Sequence, residues 1–129
     1  QKGVKNLGGT MRLGAHEIFV EEGTIAHRLY GRTKVWERHR HRYEVNPRFI
    51  PQLASKGLRF PGKSDSNRRM EILELPANKF HFATQFHAEF KSRPGKPSPP
   101  YFGLVQAALA ARTPSRASEQ LIAQPSRQG

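Results

Sequence analysis

The 129-residue sequence contains no cysteine, which excludes disulfides, thiolate metal sites and a thiol nucleophile of its own. It is also short of acid. Ten Asp and Glu stand against 22 Lys and Arg, a formal charge of +12. Such a balance favours phosphate-rich partners, RNA or DNA above all; the plainer account is a fragment separated from an acidic remainder. Hydrophobic residues make up 36%, low for a self-sufficient globule. No long apolar run is present and no signal-peptide pattern opens the chain, so a membrane span and a membrane partner are not expected. An intracellular, cytoplasmic location is the expectation, with an organelle left open. The length suits one small domain with one core. Because the sequence opens on Gln1 rather than Met, a start further upstream or a processed one is expected.

What is present is organised around Ala83–Pro94. The spacing predicts a strand with Phe82, Thr84 and Phe86 on one face and Gln85, His87 and Glu89 on the other. Two residues apart on a strand, His87 and Glu89 would project together, roughly 6–7 Å apart along the backbone. A carboxylate beside an imidazole is the orienting half of a nucleophilic triad, since the acid sets the tautomer and steadies the imidazolium. By itself His-x-Glu is common and usually only sits at a surface.

Gly8, Gly9 and Gly14 suit turns more than a regular element over residues 1–14. A strand is expected near His16–Glu22, then a short helix capped by Thr24 and stopped by Gly31. Val35–Asn46 alternates most regularly. Trp36, Arg38, Arg40, Arg42 and Glu44 fall on one side, and Val35, Glu37, His39, His41 and Tyr43 on the other. His39 and His41 have metal-ligand spacing, but no third ligand is evident, so structural hydrogen bonding is expected and no metal. A bend at 47–50 leads to a short helix at Pro51–Lys56, a short strand at Leu58–Phe60 and a polar loop at Pro61–Arg68. Arg69–Leu75 and Phe80–Phe86 form a hairpin pattern, with Met70, Ile72, Phe80, Phe82 and Phe86 as core candidates. Ser98 and Pro99 start a helix to about Ala111, in which Tyr101, Leu104, Val105, Ala108 and Leu109 follow the i, i+3, i+4, i+7, i+8 stripe of an amphipathic helix. Residues 1–112 form the expected domain, and 113–129 a basic, flexible tail.

The run Thr84–Pro94 resembles the closing motif of glutamine amidotransferase domains with a Cys-His-Glu triad. Its continuation Lys96–Leu104, with Gly8–Gly14 and Glu37–Pro47 in the same order, resembles the CTP synthase family. That resemblance implies an α/β class: a partial amidotransferase-like fold, a mixed sheet with flanking helices and a C-terminal amphipathic helix. It corresponds to the C-terminal half of the glutaminase domain, after the nucleophile. It further implies that His87 and Glu89 are catalytic, that Arg42 contacts the glutamine substrate, and that Arg12 lies near a nucleotide-effector region. In the family a cysteine attacks the glutamine amide, and ammonia passes to a synthase domain that uses ATP and Mg²⁺ to convert UTP to CTP in pyrimidine biosynthesis. No cofactor site is expected in this chain. The expected partners are the Cys-bearing half of the domain and the synthase domain, without which the chain should be inactive. The alternative is a catalytically dead basic scaffold binding RNA or a ribonucleoprotein such as a ribosome. Two departures from the family pattern stand out: Ala88 replaces the proline between histidine and acid, and Asn78-Lys79 replaces a His-Pro pair.

Overall fold

The computed structural model describes residues 11–112; the expected basic tail at 113–129 and the Gly8–Gly9 turn lie outside them. The five strands are β1 (Arg12–Val20), β2 (Lys34–His41), β3 (Arg59–Ser64), β4 (Arg69–Glu74) and β5 (Phe82–Thr84). They form one sheet in the order β2-β1-β3-β4-β5. The α/β arrangement of sheet and flanking helices is as expected, and every pairing among the described strands is antiparallel. Antiparallel neighbours can be joined by a short turn, and β3 and β4 are, through residues 65–68.

Local chemistry explains several boundaries. Helix α1 (Ile25–Tyr30) starts where the Thr24 hydroxyl accepts from His27 N at 3.1 Å and stops at Gly31, whose φ of 65° is left-handed. The buried Glu74 carboxylate accepts from Ala26 N at 3.2 Å and adds a second cap. After a 3₁₀ turn at Pro47–Phe49, helix α2 (Ile50–Ser55) carries Pro51 in its first turn, where no backbone N–H is needed. Helix α3 runs Pro99–Ala110 behind Ser98.

Other boundaries differ from expectation. β1 begins at Arg12, because residues 12–19 pair with β2 along its whole length. β3 extends to Ser64 through Pro61, which the sequence placed in a loop; the turn is only 65–68, with positive φ at Asp65, Ser66 and Asn67. Gly62 permits the close β3–β4 approach, since a Cβ there would lie 2.5 Å from Ile72 Cγ1.

The core is Ile18, Val20, Ala26, Val35, Ile72, Phe86 and Ala88, with Tyr30 and Phe82 against it. Of the core candidates, Met70, Ile72 and Phe86 are buried, and Phe80 and Phe82 are half-buried. Helix α3 stands apart from this core. Its apolar stripe faces outward: Tyr101, Leu104, Val105 and Leu109 are exposed, and Gly103 is its only buried residue. A Cβ on Gly103 would lie 2.4 Å from Leu29 Cδ2, so the helix docks on α1 through its smallest residue. Periodicity identified an apolar stripe but not which neighbour covers it.

Candidate active site

The chain leaves β5 at Thr84, and the next three residues cross the sheet. Gln85 N donates to Glu71 O on β4 at 2.9 Å, Phe86 is buried, and His87 N donates to Arg38 O on β2 at 2.9 Å. The segment thus joins the two sides of a curled sheet and carries His87 to the edge of β2. A 3₁₀ turn, Ala88–Lys91, follows. In it Nδ1 of His87 lies 2.6 Å from Oε1 of Glu89. The two were expected on one strand face; the strand ends three residues before His87, and the turn brings them together instead.

A carboxylate only accepts, so His87 holds its proton on Nδ1 and keeps the Nε2 lone pair free. The hydrogen bond from His87 holds the Glu89 carboxyl below the usual range, and the Tyr101 hydroxyl, 3.5 Å from Oε2, acts in the same direction. Both side chains are about half exposed, at 41% and 50%. Among the described residues, the pair is left half uncovered.

Arg42 starts the loop 42–46 after β2; it is exposed and makes no ion pair among the described residues. Arg12 is elsewhere, facing inward from β1. Its guanidinium bonds to the buried Glu71 carboxylate, donates to Ser64 Oγ at 3.0 Å and lies 3.5 Å from Glu44 Oε1. Arg12 and the His87–Glu89 pair do not share one site.

The third group that spacing could not supply for His39 and His41 is Glu71, on β4. Ligand atoms of the three lie within 4.8 Å of one another. The only sequence signal was an acid in the otherwise apolar run Met70-Glu71-Ile72-Leu73. The surroundings oppose a cation: Arg12 already holds Glu71, and Arg69 lies 3.8 Å from Glu44. His39 Nδ1 is 2.9 Å from His41 Nε2, a normal hydrogen-bond length. Burial, then the charge of Arg12, pushes the His39 pKa down to about 3.

Residues 1–107 match the family Glutamine amidotransferase class-I. The chain belongs to the class-I glutamine amidotransferase family. Within that family it is similar to CTP synthases. The Archaeoglobus fulgidus protein is 63% identical over 112 residues, covering 87% of this chain and 21% of the relative. The Natronomonas pharaonis protein is 61% identical over 106 residues, covering 82% and 19%. The glutaminase domain of Trypanosoma brucei CTPS, solved with bound acivicin, superposes with a TM-score of 0.75 at 38% identity, over 81% of this chain and 42% of that one. The chain thus shares the fold of part of an amidotransferase domain and spans about one fifth of the length of these relatives.

Two exposed faces of this amidotransferase chain were not foreseen. One is the α3 stripe. The other is an open groove of about 890 Å³ on the outer side of β1 and β2, lined by Leu13, Trp36, Arg38, Arg40, Phe90 and Arg93 among others. Strand alternation puts Arg38 and Arg40 there, opposite buried Glu37 and His39.

Proposed function

We propose that this chain is the His- and Glu-bearing part of a CTP synthase-type glutaminase domain, which hydrolyses the side-chain amide of glutamine. The observation that carries the reading is the 2.6 Å contact of His87 Nδ1 with Glu89, which leaves Nε2 as the base. A cysteine on another segment would lose its thiol proton to His87 Nε2 while its sulfur attacks the amide carbon. His87 then passes that proton to the departing nitrogen, ammonia leaves, and a glutamyl thioester remains for water to open, releasing glutamate. Glu89 keeps the imidazole in the required tautomer and balances its charge. Arg42 offers a planar fork for the α-carboxylate of glutamine. Arg12 belongs to the effector end of the domain. Ammonia would go to a synthase domain making CTP from UTP, where ATP and Mg²⁺ are bound. The sequence has no cysteine, so the chain alone has no nucleophile. The α3 stripe, left uncovered by the described residues, supports another segment of an amidotransferase domain as its cover. The test is glutamate release by the chain mixed with a Cys-bearing amidotransferase segment. Activity that is lost in His87→Ala supports the reading, and equal activity of that variant defeats it.

A second reading, a basic scaffold for RNA, is favoured by the groove. Trp36 and Phe90 are exposed there beside Arg38 and Arg40, which have no acidic partner among the described residues. Stacking aromatics beside cations suit a single strand. Each phosphate contact should add about 0.7 to the slope of log K against log salt. Salt-independent binding of single-stranded RNA would rule this out.

A further inference from the structure

The inward side of the curled sheet holds charged groups that the proposed chemistry does not use. Glu71, fully buried, receives the Arg12 guanidinium and the Ser64 hydroxyl on Oε1. Arg12 reaches on to Glu44 at 3.5 Å, and Arg69 lies 3.8 Å from the same oxygen. A second line runs alongside. The Tyr43 carbonyl can only accept, so the 3.0 Å contact with His41 Nδ1 places the His41 proton there. In the neutral ring, His41 Nε2 is then an acceptor, and His39 Nδ1–H donates to it at 2.9 Å. His39 Nδ1 lies 3.7 Å from Glu71 Oε2, beyond hydrogen-bond length, and that buried oxygen has no hydrogen-bond partner among the described residues.

Both lines end in the loop 42–46. One holds Glu44 and the other the carbonyl of Tyr43, and Gln85 Nε2 donates to that carbonyl at 3.5 Å. Both also start from the strands that hold the His87 segment. The backbone carbonyl of Glu71 accepts from Gln85 N, and that of Arg38, next to His39, accepts from His87 N. We propose that Glu71, through Arg12–Glu44, is a positioning residue that holds the Arg42-bearing loop in register with the His87–Glu89 turn, and that the adjacent line His39–His41–Tyr43 holds the same loop from β2. This rests on the glutaminase reading only for what the loop binds; the clamp itself is a matter of geometry. Burying a paired charge under a surface loop costs stability relative to apolar packing. What such a device supplies is one fixed direction for the loop backbone.

The test uses the whole chain and two variants. Glu71→Gln keeps the shape and removes the charge. His41→Ala, at the partly exposed end of the line, removes both the donor to Tyr43 and the acceptor for His39, and keeps a measurement available if the first variant does not fold. Amide hydrogen exchange is followed over residues 42–46, with β3 and β4 as the internal reference. The expected result is exchange in the loop faster by about fivefold or more, with the reference strands unchanged in His41→Ala. Imidazole nitrogen shifts should place the proton of His39 and of His41 on Nδ1 in the unaltered chain. Loop exchange unchanged in the folded variants, or the other tautomer at His41, overturns the proposal. With a Cys-bearing segment added, the same variants should raise KM for glutamine about fivefold and change kcat little. Faster loop exchange with no turnover even in the unaltered chain would count against the glutaminase reading and leave the clamp standing.

Discussion

Nδ1 of His87 lies 2.6 Å from Oε1 of Glu89, and the turn Ala88–Lys91 that joins them packs against β2. Neither residue is held by its own strand. His87 is placed by its backbone bond to Arg38, and Glu89 by the turn. In the presence of a Cys-bearing segment, His87→Ala should cut glutamate release by about 10²–10⁴-fold, the usual weight of a positioned proton-transfer group. Glu89→Gln should cut it less, since an amide can still accept from Nδ1. The reverse order of severity in a glutamate assay would contradict the assigned roles.

The depressed pKa of His39 has a sign. Burial first, then the charges of Arg12 and His16 from β1, His41 on its own strand and Arg69 from β4, hold its ring neutral in the fold, with the Glu71 carboxylate of β4 at 3.7 Å. The unfolded ring takes up a proton near its ordinary value of 6.5, and the folded one only near 3. Between those values the unfolded chain binds more protons, so stability falls as pH drops through this window. His39→Gln should flatten that part of the stability curve. Denaturant midpoints from pH 7 to pH 4 would check it; parallel curves for variant and unaltered chain would refute it.

Gly103 sets how closely α3 approaches α1. In Gly103→Ala the new methyl would meet Leu29 Cδ2 at 2.4 Å and Phe80 Cε2 at 3.1 Å. Alanine gains helix propensity, but the contact should dominate, with a net loss of about 1–2 kcal/mol. Thermal or urea unfolding would show it, and a stabilised variant would mean that Leu29 gives way freely.

The outward stripe of α3 offers a contrasting pair. Leu104 and Leu109 are 52% and 62% exposed. Leu104→Gln and Leu109→Gln should leave stability within about 0.5 kcal/mol, as surface changes do. Their association with the Cys-bearing segment should nevertheless weaken, as read by sedimentation of the mixture. Unaltered association would show that another surface carries the contact.

Much of the chain's character is set by short-range sequence. Thr24 and Gly31 bound α1, Pro99 starts α3, and the alternation Val35–His39 separates a buried from an exposed face. Each depends on neighbours within a turn or a pleat, where backbone stereochemistry and side-chain hydrogen bonding act directly. The run Thr84–Pro94, together with Lys96–Leu104, Gly8–Gly14 and Glu37–Pro47, likewise carried the family resemblance. The tertiary structure decided the rest. The three residues that cross from β4 to β2 placed His87. The pairing of β1 with β2 put Arg12 inside rather than in a loop. The fold also brought Glu71 to His39, 32 positions apart, and turned the apolar stripe of α3 outward. These outcomes depend on which distant surfaces meet, and burial energy follows the area two segments remove from water together. No local pattern records that quantity.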